Sequence, residues 1–238
     1  MSNWAAKRFW KETTVAEADE GFQVLLDGRG VKTPAKVPLV VPTRALADAM
    51  AAEWEAQEDA IDPNRMPVTR MANSAIDKVA VQHAAVADML AAYGDSDLLC
   101  YRATEPRELI ARQAEHWDPV LDWAAKALGA HLVPVSGIMH SAQDAASVES
   151  LTRQVHALDH FQLAAFHDLV AISGSLVLGF AVAAKHLDQA RAWELSRVDE
   201  TWQQEQWGVD EEAHEQAEKK RDAFALAAWF FAASQRET

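Results

Sequence analysis

Three histidines offer the most metal-like pattern in the chain. His156, His160 and His167 would stand at about 0°, 40° and 20° around a continuous helix, so three imidazoles could share one face. Zinc accepts three histidines and a water, which would make a metal-dependent enzyme. The stretch lacks His-Glu-x-x-His and offers no fourth ligand. A helix break near Asp159 would scatter the rings. Histidines lining a partly polar groove are therefore the preferred reading, with the metal enzyme as the alternative.

Other candidate nucleophiles and acids fare worse. Cys100 sits between Leu99 and Tyr101 with no electropositive neighbour, so it reads as a small buried hydrophobe. Ser173-Gly174-Ser175 has no lysine for a phosphate loop and is not the Gly-x-Ser-x-Gly of a nucleophile elbow. Small residues at 174, 175, 179 and 183 fit close helix packing instead. Asp199 and Glu200 are adjacent, hence about 100° apart on a helix, and cannot face each other as a catalytic dyad. No catalytic set is assembled, and no cofactor is implied.

Binding is better represented. Trp193, Glu200 and Trp207 recur at intervals of seven in a segment that reads as one helix. They share a face within roughly 20–40°, while Leu195, Val198, Trp202 and Val209 take the opposite face. A surface helix needs one apolar stripe. A second stripe, with a carboxylate between two indoles, wants another partner inside or outside the molecule. Nine tryptophans against two tyrosines also favour recognition, because tryptophan is prominent in interface hot spots. Trp54, Trp117 and Trp123 lie on helices with their own apolar periodicity and read as core.

These side chains need a scaffold, and 238 residues with half of them hydrophobic can supply one. The net charge of −14 argues against nucleic acid and anionic membranes. It is uneven: residues 1–42 carry a balance of +1 and the rest −15, with eight acids and no Lys or Arg between Asp199 and Glu218. That run reads either as a solvated face or as a docking surface for a basic partner. The apolar run Leu169–Ala184 is short and broken by small polar residues, so it reads as a buried helix, not a membrane span. The single cysteine fits a reducing compartment.

Alternation at Phe22, Val24 and Leu26, with Asp27-Gly28 as a turn, predicts a small antiparallel sheet within residues 8–41. Thr43 caps a helix carrying Leu46, Met50 and Trp54, which ends at Asp62-Pro63. A second runs from Pro67 to Tyr93-Gly94 with one break, and Leu98–Tyr101 leans to strand. Glu105-Pro106 opens a helix that Trp117-Asp118-Pro119 interrupts, with Asp118 capping the next one. Residues 131–139 look extended and could join the first sheet. Helices follow over 144–158, 160–185, 188–207 and 210–234. The fold class is α+β: a β-rich domain of residues 1–42, which a strand from 131–139 could join, and a larger helical domain of 43–238.

The chain also resembles a known family along nearly its whole length. Arg8-Phe9-Trp10-Lys11, Leu26-Asp27-Gly28-Arg29 and Lys32-Thr33-Pro34 match an opening signature. Glu53-Trp54-Glu55-Ala56-Gln57, Ile61-Asp62-Pro63, Met66-Pro67-Val68-Thr69 and Ala75-Ile76-Asp77 follow in order. Then come Asp97–Ala103, Trp117-Asp118-Pro119, Gly174–Leu178, and Asp199-Glu200-Thr201-Trp202-Gln203 with Trp207-Gly208. They are similar to the F-type ATP synthase assembly chaperones that bind the alpha subunit of the soluble catalytic head. Gly30 replaces an expected proline, Ser96 a threonine and Trp202 a tyrosine. The resemblance implies a non-enzymatic, ATP-independent chaperone that masks the alpha subunit until beta replaces it; the chain is expected to be a monomer. Part of the client contact is expected at Glu200, Trp193, Trp207 and Trp202, with Glu200 either touching the client or anchoring neighbouring helices. A generic helical adaptor is a further alternative. With Arg8-Phe9 close to Met1, a bacterial cytoplasm is expected, or the mitochondrial matrix for a processed eukaryotic homologue.

Overall fold

The alternating amino-terminal residues form the expected sheet. In the computed structural model, which describes residues 7–236, β1 (Thr13–Ala18) pairs antiparallel with β2 (Gly21–Leu26), from Thr13↔Leu26 to Ala18↔Gly21. The other edge of β2 takes β3 (Arg29–Gly30) and then β4 (Val40–Val41). Asp27 and Gly28 turn the β2–β3 hairpin with φ of 47° and 76°, as a type I′ turn requires. The Asp27 carboxylate accepts the Glu12 and Lys11 N–H groups at 2.9 and 3.0 Å, which holds its pKa below the ordinary carboxylate value.

Val24, Leu26, Leu39 and Val41 point into a core that α1 (Arg44–Glu55) covers with Leu46, Ala47 and Met50. Thr43 caps α1, its Oγ1 accepting from Leu46 N at 3.3 Å. Glu53 then caps the next helix, α2 (Pro67–Ser74): its two carboxylate oxygens accept the Val68 and Thr69 N–H groups at 2.7 and 2.8 Å. A single π-helical turn, Ala75–Val79, follows, and a turn at residues 80–82 ends the helix before α3 (His83–Ala91).

Leu98–Cys100 is a 3₁₀ turn, and only Tyr101–Arg102 continues as strand β5. Its partner is β6 (Val135–Ser136), in parallel. The extended 131–139 segment thus contributes its strand to a separate two-stranded sheet, not to the first one, because Tyr101 and Arg102 offer it a free edge. α4 (Arg107–Ala127) is continuous through Pro119, against the expected interruption. Trp117, Val120, Leu121 and Ala124 are buried along it, and that packing outweighs the backbone hydrogen bond lost at the proline. Asp118 is no cap: it pairs with Arg102 at 2.7 Å.

The remaining helices are α5 (Ala145–His156), α6 (His160–Ser173), α7 (Leu176–Ala183), α8 (Gln189–Ser196), α9 (Val198–Trp207) and α10 (Glu211–Ser234). Two expected long helices are each divided. Gly174 with φ of +73° and the Ser175 cap separate α6 from α7. Arg197, at φ −116° and ψ 16°, separates α8 from α9. There the Ser196 hydroxyl turns back to the Trp193 carbonyl at 2.7 Å, competing with helix continuation. No helix among the described residues is long and apolar enough to cross a membrane.

The contacts group the chain into two compact units. One holds the residues up to His83 with His160–Ala165 and those from Trp229 onward; the other holds Ala84–Asp159 and Phe166–Ala228.

Candidate functional site

The break at Arg197 changes how Trp193 and Glu200 meet. They lie on different helices, and Arg197 at the corner joins them. Its Nη1 donates to Glu200 Oε1 at 2.7 Å, and its guanidinium carbon lies 5.6 Å from the Trp193 ring centroid. Trp193 also packs on Phe224, with centroids 6.1 Å apart. The Glu200 side chain stays 43% exposed. Trp207, at the end of α9, is 79% exposed, and Gly208 with φ of +90° turns the chain away beyond it. The structure thus brings Trp193 and Glu200 together and leaves Trp207 to solvent.

The opposite stripe is also divided. Leu195 and Val198 are buried, and the Leu195 carbonyl accepts from Trp117 Nε1 at 2.8 Å. Asp199 accepts from the buried Gln113 side chain at 2.7 Å. Trp202 is half-buried beneath the Arg112 guanidinium, 4.8 Å from the ring centroid, and Arg112 also pairs with Glu205 at 2.8 Å. Trp202 lines a groove of about 650 Å³ between α4 and the α8–α9 corner. Val209 lies past the helix end and is exposed, so it does not extend the core stripe as expected.

Sequence reasoning missed both arginines. Arg197 precedes Glu200 by three residues, a spacing that signals a helical ion pair. Arg112 is 90 positions from Trp202, and no local pattern announces such a contact.

The histidine alternative loses its premise. α5 ends at His156 and α6 begins at His160, so no continuous helix aligns the rings. His156 Nε2 meets Asp88 at 2.8 Å, and His167 Nδ1 meets Asp168 at 2.9 Å, which raises the His167 pKa. Among the described residues no group of three His, Cys, Asp or Glu is placed to hold a metal ion. Cys100 is buried, and that burial, with the nearby Asp97 charge, pushes its thiol up to about 12.

Many of the signature residues instead build scaffold. Arg8 donates to the Glu55 and Gln57 carbonyls at 2.8 and 2.6 Å and pairs with the Glu55 carboxylate at 2.9 Å. Trp10 stands edge-on to Trp54, with centroids 5.3 Å apart, and Gln57 Oε1 accepts from Asp62 N at 2.7 Å. In the other unit, the fully buried Asp97 carboxylate accepts from Leu99 N, Ser175 Oγ and Val177 N at 3.0, 2.7 and 3.0 Å. Burial raises its pKa to about 6 against the pull of those donors. Arg102 reaches Asp118 and lies over the Trp117 ring at 5.3 Å.

Comparison with known proteins gives one answer. A family model described as ATP12 chaperone protein matches residues 7–125. The mitochondrial protein atp12 of Schizosaccharomyces pombe is 26% identical over 221 residues, spanning 88% of this chain and 76% of that protein. The crystal structure of Atp12 from Paracoccus denitrificans matches with a TM-score of 0.94 at 48% identity, covering 97% of this chain and 99% of that one. A crystal structure from Agrobacterium tumefaciens matches with a TM-score of 0.90 at 44% identity, over 97% and 86%.

Proposed function

This chain belongs to the ATP12 chaperone family, and we propose that it serves F-type ATP synthase assembly by holding the unassembled alpha subunit until beta takes its place. A chaperone of this kind acts by binding, without a catalytic centre. An interface made for a permanent oligomer is large and apolar, so an orphan subunit exposes a surface prone to aggregate. A single copy of the chaperone shields that surface and must yield it to the proper partner. The setting is the compartment where alpha waits for beta, a bacterial cytoplasm or a mitochondrial matrix.

The observation that carries this reading is the surface of α9. Glu200 is held in place by Arg197 yet remains half-exposed, and Trp207 stands in solvent nearby in sequence. Trp193, packed under Arg197, supports the corner from within. Trp202 offers a second aromatic surface on the groove side of α9. An exposed indole two helical turns from a fixed carboxylate suits a partner that brings an apolar patch and a hydrogen-bond donor or cation.

Co-expression tests it. The chain is produced with alpha alone and with beta alone, and the soluble fraction of each subunit is measured. Alpha becomes soluble and beta does not. Equal rescue of both, or of neither, defeats the proposal.

A further inference from the structure

We propose that the groove between α4 and the α8–α9 corner receives a basic, amphipathic segment of the client, with a client arginine or lysine taking the place that Arg112 now fills over Trp202. This rests on the reading above that the client is the orphan alpha subunit.

The floor of the groove is apolar. Buried Leu195 and Val198 form its base, and the indole of Trp202 forms one wall. Its rim carries four glutamates against two arginines. Both arginines are already matched, Arg112 with Glu205 at 2.8 Å and Arg191 with Glu194 at 2.9 Å. Glu108 and Glu115 are the surplus. They stand four before and three after Arg112, hence on the same side of α4. Among the described residues neither lies within ion-pair distance of a lysine or arginine.

An apolar floor under a surplus of two negative charges repels anionic ligands and suits a helix with apolar and basic residues on one face. Arg112 shows the contacts such a residue would make. A guanidinium over an indole gains from the ring's negative face, and Glu205 at its edge supplies the counter-charge. A client cation that takes the place of Arg112 meets the same carboxylate and ring, and the displaced Arg112 can turn to Glu108 or Glu115, one helical turn away on α4. The volume of about 650 Å³ accommodates side chains from one helix face, and not a folded domain.

The test uses a labelled helical peptide of leucine and lysine and follows its fluorescence anisotropy against the full chain. The variant Glu108→Gln/Glu115→Gln removes two charges from the groove, and Glu211→Gln/Glu212→Gln removes two from α10. All four residues are exposed. The groove variant weakens binding about tenfold or more at low salt and flattens its salt dependence, while the α10 variant changes it less than about threefold. Equal losses in both variants, or no loss in the groove variant, overturn the proposal. Co-expression then identifies the client. A Glu108→Lys/Glu115→Lys variant that melts like the wild type leaves alpha insoluble; if it keeps alpha soluble, the client segment does not use the groove. If the wild type binds the peptide but leaves alpha insoluble, the alpha-subunit reading falls while the groove's preference for basic segments stands. If the wild type self-associates and Glu108→Gln/Glu115→Gln makes it monomeric, the groove is a contact between copies and the proposal is overturned.

Discussion

The Arg197 guanidinium donates to the Glu200 carboxylate at 2.7 Å across the corner between α8 and α9. The pair is local, three residues apart and partly exposed. Pairs of this kind contribute about 0.2–1 kcal/mol, because solvent screens them and ordering two long side chains costs entropy. Glu200 is therefore a minor part of the stability ledger and a well-placed part of the surface.

Glu200→Lys sets two cations side by side at this corner. Thermal melts are expected to show a cost of about 1 kcal/mol or less, and co-expression to show loss of soluble alpha. The swap Arg197→Glu/Glu200→Arg restores an internal pair with reversed charges. It recovers the ion-pair part of the melting temperature, short of what the Arg197 guanidinium contributes over the Trp193 ring, and not the holding of alpha. Recovery of both would assign Glu200 a purely structural role.

Trp207 and Trp117 are expected to separate binding from folding. Trp207→Ala removes an exposed ring and changes stability by no more than about 0.5 kcal/mol, while it weakens alpha binding by about 2 kcal/mol. Trp117 is buried, bonded to the Leu195 carbonyl and covered by Arg102. Trp117→Ala costs about 3–5 kcal/mol in denaturant unfolding. Equal stability losses would contradict the assignment.

These contrasts mark what was legible in the sequence. The Asp27-Gly28 hairpin, the Thr43 cap and the Leu46–Met50 stripe were readable because each is local chemistry with a period. The close packing at Gly179 was readable too, since a Cβ there would lie 3.0 Å from Val170 and 3.1 Å from Phe166, whereas Gly174 and Ser175, read as packing residues, instead form the break between α6 and α7. Pro119 misled, because its local preference loses to the buried face of α4. The heptad of Trp193, Glu200 and Trp207 also misled in part, because Ser196 and Arg197 end one helix and start another. Asp97 and the Arg112–Trp202 stack were not legible, since their partners lie 78 to 90 positions away.

Asp97 provides a pH test. Its folded pKa of about 6 lies above the ordinary 3.8, so the folded state binds the proton more tightly than the unfolded chain. The stability it contributes is complete below about pH 4 and is lost as pH rises through about 6, a loss on the order of 3 kcal/mol. Asp97→Asn cannot ionise but offers one acceptor oxygen in place of two, costing about 1–3 kcal/mol at low pH. Urea unfolding from pH 4 to 7 should show the gap between wild type and Asp97→Asn closing and, at the smaller low-pH costs, reversing so that Asp97→Asn becomes the more stable. A constant gap would mean that Asp97 does not titrate in this window.

Cys100 is expected to be inert. With its thiol pushed up to about 12, it stays protonated at pH 9, where an ordinary cysteine is largely ionised. A thiol reagent labels the folded protein only as fast as it unfolds, and labels it promptly in denaturant. Rapid labelling of the native protein would show that Cys100 is accessible.

On the proposed function, the chain covers the surface of alpha that beta later takes. The most direct measurement is light scattering on a chromatographed mixture of purified chain and alpha, before and after beta is added. The expected result is a complex of one chain with one alpha, which beta dissolves to give an alpha–beta assembly and free monomeric chain. A stable complex containing all three proteins would contradict it.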